Sequence, residues 1–189
     1  MYRKTWMQVN LDKIEHNLIQ LKEICQKKII AVLKADAYGC GDIHVARAVL
    51  EAGAEMIAVS SLDEALVLRN EGYEGKLLIL GATEANDIPV LIKYGISCTA
   101  YSTEWVIKAI KQNCEGLHVH LKVDTGMSRI GFRTIDELHL AFEKLQAANC
   151  DMEGIFTHFC CADSDLDFTN RQFSKFKEAV ESFSYTFPW

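Results

Sequence analysis

The segment Lys34-Ala35-Asp36-Ala37-Tyr38-Gly39 puts an amine, a carboxylate and a phenol within six residues, directly after the apolar run Ile29-Ile30-Ala31-Val32-Leu33. A run of that length reads as a buried strand too short to be a helix, and it sets Lys34 at the strand's end. Burial disfavours the charged form of lysine, so two uses are open to this side chain. It can reach a solvated rim on its aliphatic stem, or it can serve as an amine of lowered pKa, the state in which lysines form Schiff bases. Other residues able to do chemistry also fall at the ends of apolar runs. Lys122 and Asp124 close Leu117–Asp124, and His158 closes Glu153–Phe159. Arg129 lies in the loop Thr125-Gly126-Met127-Ser128-Arg129-Ile130-Gly131-Phe132, where two glycines permit tight turns. Taken singly, His158 reads as a hydrogen-bonded structural histidine rather than a functional one. His118 and His120 share a strand face but have no third ligand. Cys160 and Cys161 are adjacent with no CxxC anywhere, so no metal site is expected.

These residues need elements to hold them, and the chain reads as strand and helix in alternation. Ile14, Leu18, Leu21 and Cys25 recur at helical spacing after a cap at Asp12. A strand over 29–34 is followed by a helix from Asp42 to a stop at Gly53, then a strand over Glu55–Ser60. Ser61 and Glu64 form a capping box opening a helix that ends near Gly72. Strands follow at Lys76–Leu80, Ile96–Ala100, Leu117–Asp124 and Glu153–Phe159. Helices are expected over 85–94, from Ser102, from a Thr134/Glu137 box to Asn149, and over Thr169–Phe183. Six βα units imply a parallel sheet, doubly wound or wound toward a barrel, with the strand C-terminal ends forming the ligand-binding rim. An eight-unit barrel takes roughly 250 residues, about 30 per unit, so 189 residues are about two units short. The reading is a truncated barrel whose end, Tyr185-Thr186-Phe187-Pro188-Trp189, approaches another strand.

Composition narrows the function classes. The chain is 49% hydrophobic and 24% charged, a globular balance. A net charge of −6 without a basic run argues against a nucleic-acid surface. No apolar stretch has membrane-spanning length, and Met1-Tyr2-Arg3-Lys4-Thr5-Trp6 lacks a signal-peptide apolar region. Seven irregularly spaced cysteines read as reduced thiols, giving a cytoplasmic expectation.

Four blocks together carry a resemblance. Lys34-Ala35-Asp36-Ala37-Tyr38-Gly39, Ser60-Ser61-Leu62-Asp63-Glu64-Ala65, Lys122-Val123-Asp124-Thr125-Gly126-Met127 and Gly154-Ile155-Phe156-Thr157-His158-Phe159 resemble, in order, the signature blocks of the alanine racemase family. The resemblance implies a parallel (β/α)8 barrel binding pyridoxal 5'-phosphate, followed in the family by a mainly β C-terminal domain that this chain lacks, and assembly of the full-length protein as a homodimer. It implies interconversion of L- and D-alanine, supplying D-alanine for peptidoglycan. Lys34 would form the aldimine with the cofactor and act as one of two bases. Tyr38 would bond the cofactor phosphate, Arg129 the phenolic oxygen and the substrate carboxylate, and His158 would pack on the pyridine ring. Lys122 matches a position that can be carbamylated.

The second base, a tyrosine of the partner subunit, has no counterpart in these residues, so this portion alone is expected to be inactive and poorly folded. Cys40, Ser128 and Cys160-Cys161 depart from the family pattern without removing a named role. A serine-preferring racemase, a non-catalytic single-barrel pyridoxal-phosphate carrier and a lysine-dependent aldolase are the alternatives. The aldolase has no use for Tyr38, Arg129 and His158.

Overall fold

The computed structural model describes residues 4–189. Met1, Tyr2 and Arg3, which open the segment lacking a signal-peptide apolar region, lie outside the described residues. The strands are β1 Ile30–Val32, β2 Met56–Val59, β3 Leu77–Ile79, β4 Cys98–Ala100, β5 His118–Lys122 and β6 Asp151–Phe156. The helices are α1 Leu11–Cys25, α2 Lys34–Gly39, α3 Asp42–Glu51, α4 Leu62–Asn70, α5 Ile88–Lys93, α6 Thr103–Lys111, α7 Ile135–Ala147 and α8 Leu166–Glu181, with a 3₁₀ turn at Ala85–Asp87 before α5. The chain divides into two compact units, residues 1–78 and 79–189.

In the first unit the strand order is β1-β2-β3. β1 and β2 pair in parallel with Ile30 opposite Met56 and Val32 opposite Ala58. Met56, Ile57, Ala58 and Val59 are all buried, as a parallel strand covered on both faces requires. Ser61 caps α4, its hydroxyl accepting the Glu64 N–H. The α1 cap is Asn10, whose side chain accepts the Lys13 N–H, rather than the Asp12 expected from sequence. Both residue types cap well, and only the backbone decides between neighbours.

The expected strand over 29–34 is shorter than its apolar run. Pairing ends at Val32, although the Leu33 N–H still bonds the Ala58 carbonyl, and Lys34 therefore does not close the strand. It opens α2, which is not a right-handed helix.

In the second unit the order is β4-β5-β6, again parallel. The β5–β6 ladder shifts register between Val119 and His120. Gly154 lies beneath the His120 ring, where a Cβ would collide with the imidazole. β6 starts at Asp151 and ends at Phe156, two to three residues earlier than expected at each end, so His158 sits in the loop beyond it. α8 begins at Leu166, not Thr169, with Asp165 accepting the Phe168 N–H. Beyond α8, Tyr185 donates to the Met152 carbonyl, and Phe183 and Phe187 pack against Phe142. Trp189 then bonds Glu153 and Ile155 of β6 through its N–H and carbonyl, the two-bond pattern of a parallel neighbour.

Candidate active site

In the first unit the site is built on a left-handed turn. Ala35, Asp36, Ala37 and Tyr38 all have φ between 50° and 57° and ψ between 35° and 51°. Left-handed helical backbone costs an L-residue ~1–2 kcal/mol, so four in succession store about 4–8 kcal/mol. Such a conformation persists only where its surroundings over-determine it. Here they do. The Ala37 N–H bonds the Leu33 carbonyl and the Gly41 N–H bonds the Asp36 carbonyl. Asp36 Oδ1 accepts the Asp42 N–H at 2.9 Å, joining the turn to the start of α3.

The principal strap is Glu64. One carboxylate oxygen accepts the Ala35 N–H at 2.8 Å, and the other accepts both the Ser60 N–H at 2.7 Å and the Ser60 hydroxyl at 2.8 Å. Partial burial pushes this carboxyl up, but the bonds from Ala35 and Ser60 outweigh it and hold the group below its ordinary value.

Lys34 is thereby presented half-buried at the mouth of the turn, with its Nζ 5.9 Å from the centroid of the Tyr38 ring. Tyr38 is 66% exposed. The amine and the phenol expected to act together do share one turn.

In the second unit the loop after β5 is organised by Asp124. Its Oδ1 accepts the Gly126 and Ser128 N–H groups at 3.1 and 2.9 Å, and its Oδ2 meets Arg133 Nε at 3.3 Å. Burial raises this carboxyl, yet the N–H donors and Arg133 bring it below its ordinary value. The far end of the loop returns as a single parallel bridge, Val123 against Phe132. Gly131 makes that approach possible: φ is +124°, and a Cβ there would stand 2.7 Å from the Asp124 nitrogen. Arg129 is carried, exposed, on this closed loop.

Lys122, at the end of β5, is only 3% exposed. Its Nζ donates to the Val123 carbonyl at 2.9 Å and lies 5.4 Å from the Phe156 ring centroid. Desolvation pulls its pKa down to about 8, with Asp124 opposing and Arg129 assisting. The guanidinium and the buried amine are thus near enough to sense each other.

His158 lies on the loop after β6, and its carbonyl accepts from Gln172 Nε2 at 3.0 Å. Gln172, 1% exposed on α8, also donates to Thr125 Oγ1 at 3.1 Å and accepts the Cys160 N–H at 3.2 Å. Thr125 and Thr157 are bonded at 2.8 Å, and Thr157 donates to the Val123 carbonyl. Gln172 therefore ties the Arg129 loop to the His158 loop. Sequence reasoning missed it, although the signal was present: a glutamine midway along the stripe Phe168, Gln172, Phe176, Ala179 interrupts an otherwise apolar face. Glu64 was seen only as half of a capping box. His118 and His120 are bonded to Asp151 and Glu153 at 2.8 and 3.3 Å, and Glu153 also accepts the Ser97 hydroxyl.

The sequence matches the family described as alanine racemase, N-terminal domain, over residues 9–188. It is 40% identical to alanine racemase 1 of Oceanobacillus iheyensis, with 99% of this chain and 52% of that protein aligned. The fold is similar to the crystal structure of alanine racemase from Bacillus anthracis with bound L-Ala-P, at a TM-score of 0.90 and 36% identity over 100% of this chain and 51% of that one. A histidine racemase from Leuconostoc mesenteroides is also similar, at a TM-score of 0.88 and 30% identity over 95% of this chain and 50% of that one. The chain spans about half the length of the curated relatives it matches. Its six parallel strands and their helices correspond to the N-terminal barrel portion of these enzymes, and the chain belongs to the alanine racemase N-terminal domain family.

Proposed function

We propose that residues 1–189 are the N-terminal, cofactor-binding barrel portion of a pyridoxal-phosphate-dependent racemase that interconverts L- and D-alanine. In this reading the C-terminal β domain lies outside this chain. One observation carries it: Lys34, half-buried, opens a strained left-handed turn whose Ala35 N–H is held by a carboxylate from another element. Strain of that kind is retained where a group must be aimed. The family match and the identity to alanine racemases support the substrate.

The residues present fit the cofactor in their chemistry. A primary amine can take up an aldehyde, and an exposed phenol can donate to a phosphate. A guanidinium meets phenolate or carboxylate oxygens with charge-assisted bonds. When bound, pyridoxal phosphate supplies the electron sink that acidifies the substrate Cα–H. Lys34 would then be both the anchoring amine and the base that takes or returns the proton on one face of Cα. Tyr38 would bind the phosphate, Arg129 the phenolic oxygen and the substrate carboxylate, and His158 would pack against the pyridine ring.

Lys122 with a pKa of about 8 is roughly one-quarter neutral near pH 7.5, against about one part in a thousand for an ordinary lysine. Only the neutral amine adds carbon dioxide to give a carbamate and a proton, so Lys122 is suited to carbamylation. The resulting anion would then steady Arg129. Two-base racemisation needs a second acid or base on the opposite face of Cα, which this reading assigns to a tyrosine of the partner subunit in a homodimer.

A second reading, a racemase for a different amino acid, is favoured by the likeness to a histidine racemase. Exchange of the α-proton and racemisation of alanine, serine and histidine by the full-length protein decide between them. Fastest turnover of alanine supports the proposal. Turnover of serine or histidine alone replaces the substrate, and no exchange with any of them leaves a non-catalytic carrier.

A further inference from the structure

The thiols of Cys160 and Cys161 stand 3.5 Å apart in the loop between β6 and α8. Cys160 is exposed and Cys161 half-buried, so both sulfurs can be reached from solvent. Both residues are also anchored. The Cys160 N–H and Sγ point at Gln172 Oε1, at 3.2 and 3.6 Å. The Cys161 carbonyl accepts the N–H groups of Ser164 and Asp165 at 3.1 and 2.8 Å. A disulfide would need the sulfurs at about 2 Å, a closure that two fixed neighbouring residues resist. One bridging atom bonded to each sulfur at the ~2.3 Å typical of a thiolate–zinc bond spans the observed gap without moving either backbone.

A metal ion is a poor candidate for that atom, because among the described residues no group of three His, Cys, Asp or Glu side chains could complete its shell. A soft centre satisfied by two sulfurs and one carbon has no such need. The other close thiol pair, Cys114 and Cys150 at 3.2 Å, is buried and closed to a reagent. Cys161 is held above the ordinary thiol value by its bond to Cys160, with Asp165 and Asp163 adding to the effect. Because the thiolate is the attacking form, this slows loading without changing which bonds are exchanged.

We propose that Cys160 and Cys161 form a dithiol site for trivalent organoarsenicals of the type RAsO. Two S–H bonds and the As–O bond are exchanged for two As–S bonds. The oxygen leaves with both thiol protons as one water, and arsenic keeps its oxidation state. The site stands on the thiol geometry alone and is independent of the racemase reading.

The test is intact-mass and fragment-ion analysis of the natively folded full chain after treatment with phenylarsine oxide. The expected result is one phenylarsenic per chain, localised to Cys160 and Cys161. It should resist a 2-mercaptoethanol wash and be released by 2,3-dimercaptopropanol. Cys160→Ser and Cys161→Ser should each lose the wash-resistant adduct, whereas Cys25→Ser should keep it. An adduct that the monothiol removes, or one localised to any other cysteine of the unmutated protein, overturns the proposal whether or not the variants fold.

Discussion

Replacing Glu64 with alanine should release the left-handed turn. Three hydrogen bonds end on this carboxylate, at 2.7–2.8 Å. A bond to a charged acceptor contributes ~1.5–3 kcal/mol, but three sharing one half-exposed carboxylate do not add fully. The turn also recovers part of its stored strain once it relaxes. The net cost of Glu64→Ala is therefore about 2–3 kcal/mol, read as a lower urea midpoint at unchanged slope. Glu64→Gln keeps one oxygen acceptor but turns an N–H₂ toward a donor, and it should lose about half as much or more.

The local signature is sharper than the global one. A local loss of about 3 kcal/mol speeds exchange of the Ala35 amide roughly 100-fold. pH supplies an independent check. The folded carboxyl is held below its ordinary value, so its contribution is complete above the normal carboxylate range and is lost as pH falls through the folded pKa. Wild type should therefore lose stability on acidification that Glu64→Ala never had. A Glu64→Ala loss under 0.5 kcal/mol, with Ala35 exchange unchanged, would refute the assignment of the strap.

Further outcomes follow from the second unit. Lys122 has a folded pKa of about 8 against an ordinary 10.5, so the unfolded chain binds more protons between those values and stability should rise with pH across them. Allowing for solvent screening, that rise is roughly 2–3 kcal/mol, and Lys122→Met should abolish it, as denaturation at pH 7 and 10 would register. Gly131→Ala should cost ~2–3 kcal/mol, because it combines a disfavoured φ with a backbone collision; thermal unfolding measures it. Gln172→Leu leaves the Cys160 N–H and the His158 carbonyl without this partner and should cost about 2 kcal/mol, with faster exchange at the Cys160 amide.

Much of this arrangement can be read from residue types, and the remainder has physical reasons for being hidden. Ser61, Ser102 and Thr134 announce their helices because a cap is a local bond to the N–H three residues on. The six strands announce themselves as apolar runs bounded by breakers. The end of β1 does not, because the apolar run continues one residue past the last ladder pair. The left-handed turn is invisible in Ala35-Asp36-Ala37-Tyr38, which contains no glycine. Its stability comes from Glu64, far along the chain, and tertiary bonds leave no periodic trace. Gln172 differs: it shows in the sequence as a polar residue where a helix stripe is normally apolar, but only the loops packed on it explain the exception. The roles of Lys34, Tyr38, Arg129 and His158 came through resemblance rather than spacing, since each alone has an ordinary structural use.

The central claim is that Lys34 is the amine that anchors pyridoxal phosphate. Borohydride reduction of the full-length protein with the cofactor, followed by peptide mass mapping, tests it directly. The account predicts a single pyridoxyl adduct on Lys34, lost in Lys34→Ala. An adduct on another lysine, or none on Lys34 in a folded and saturated protein, would contradict it.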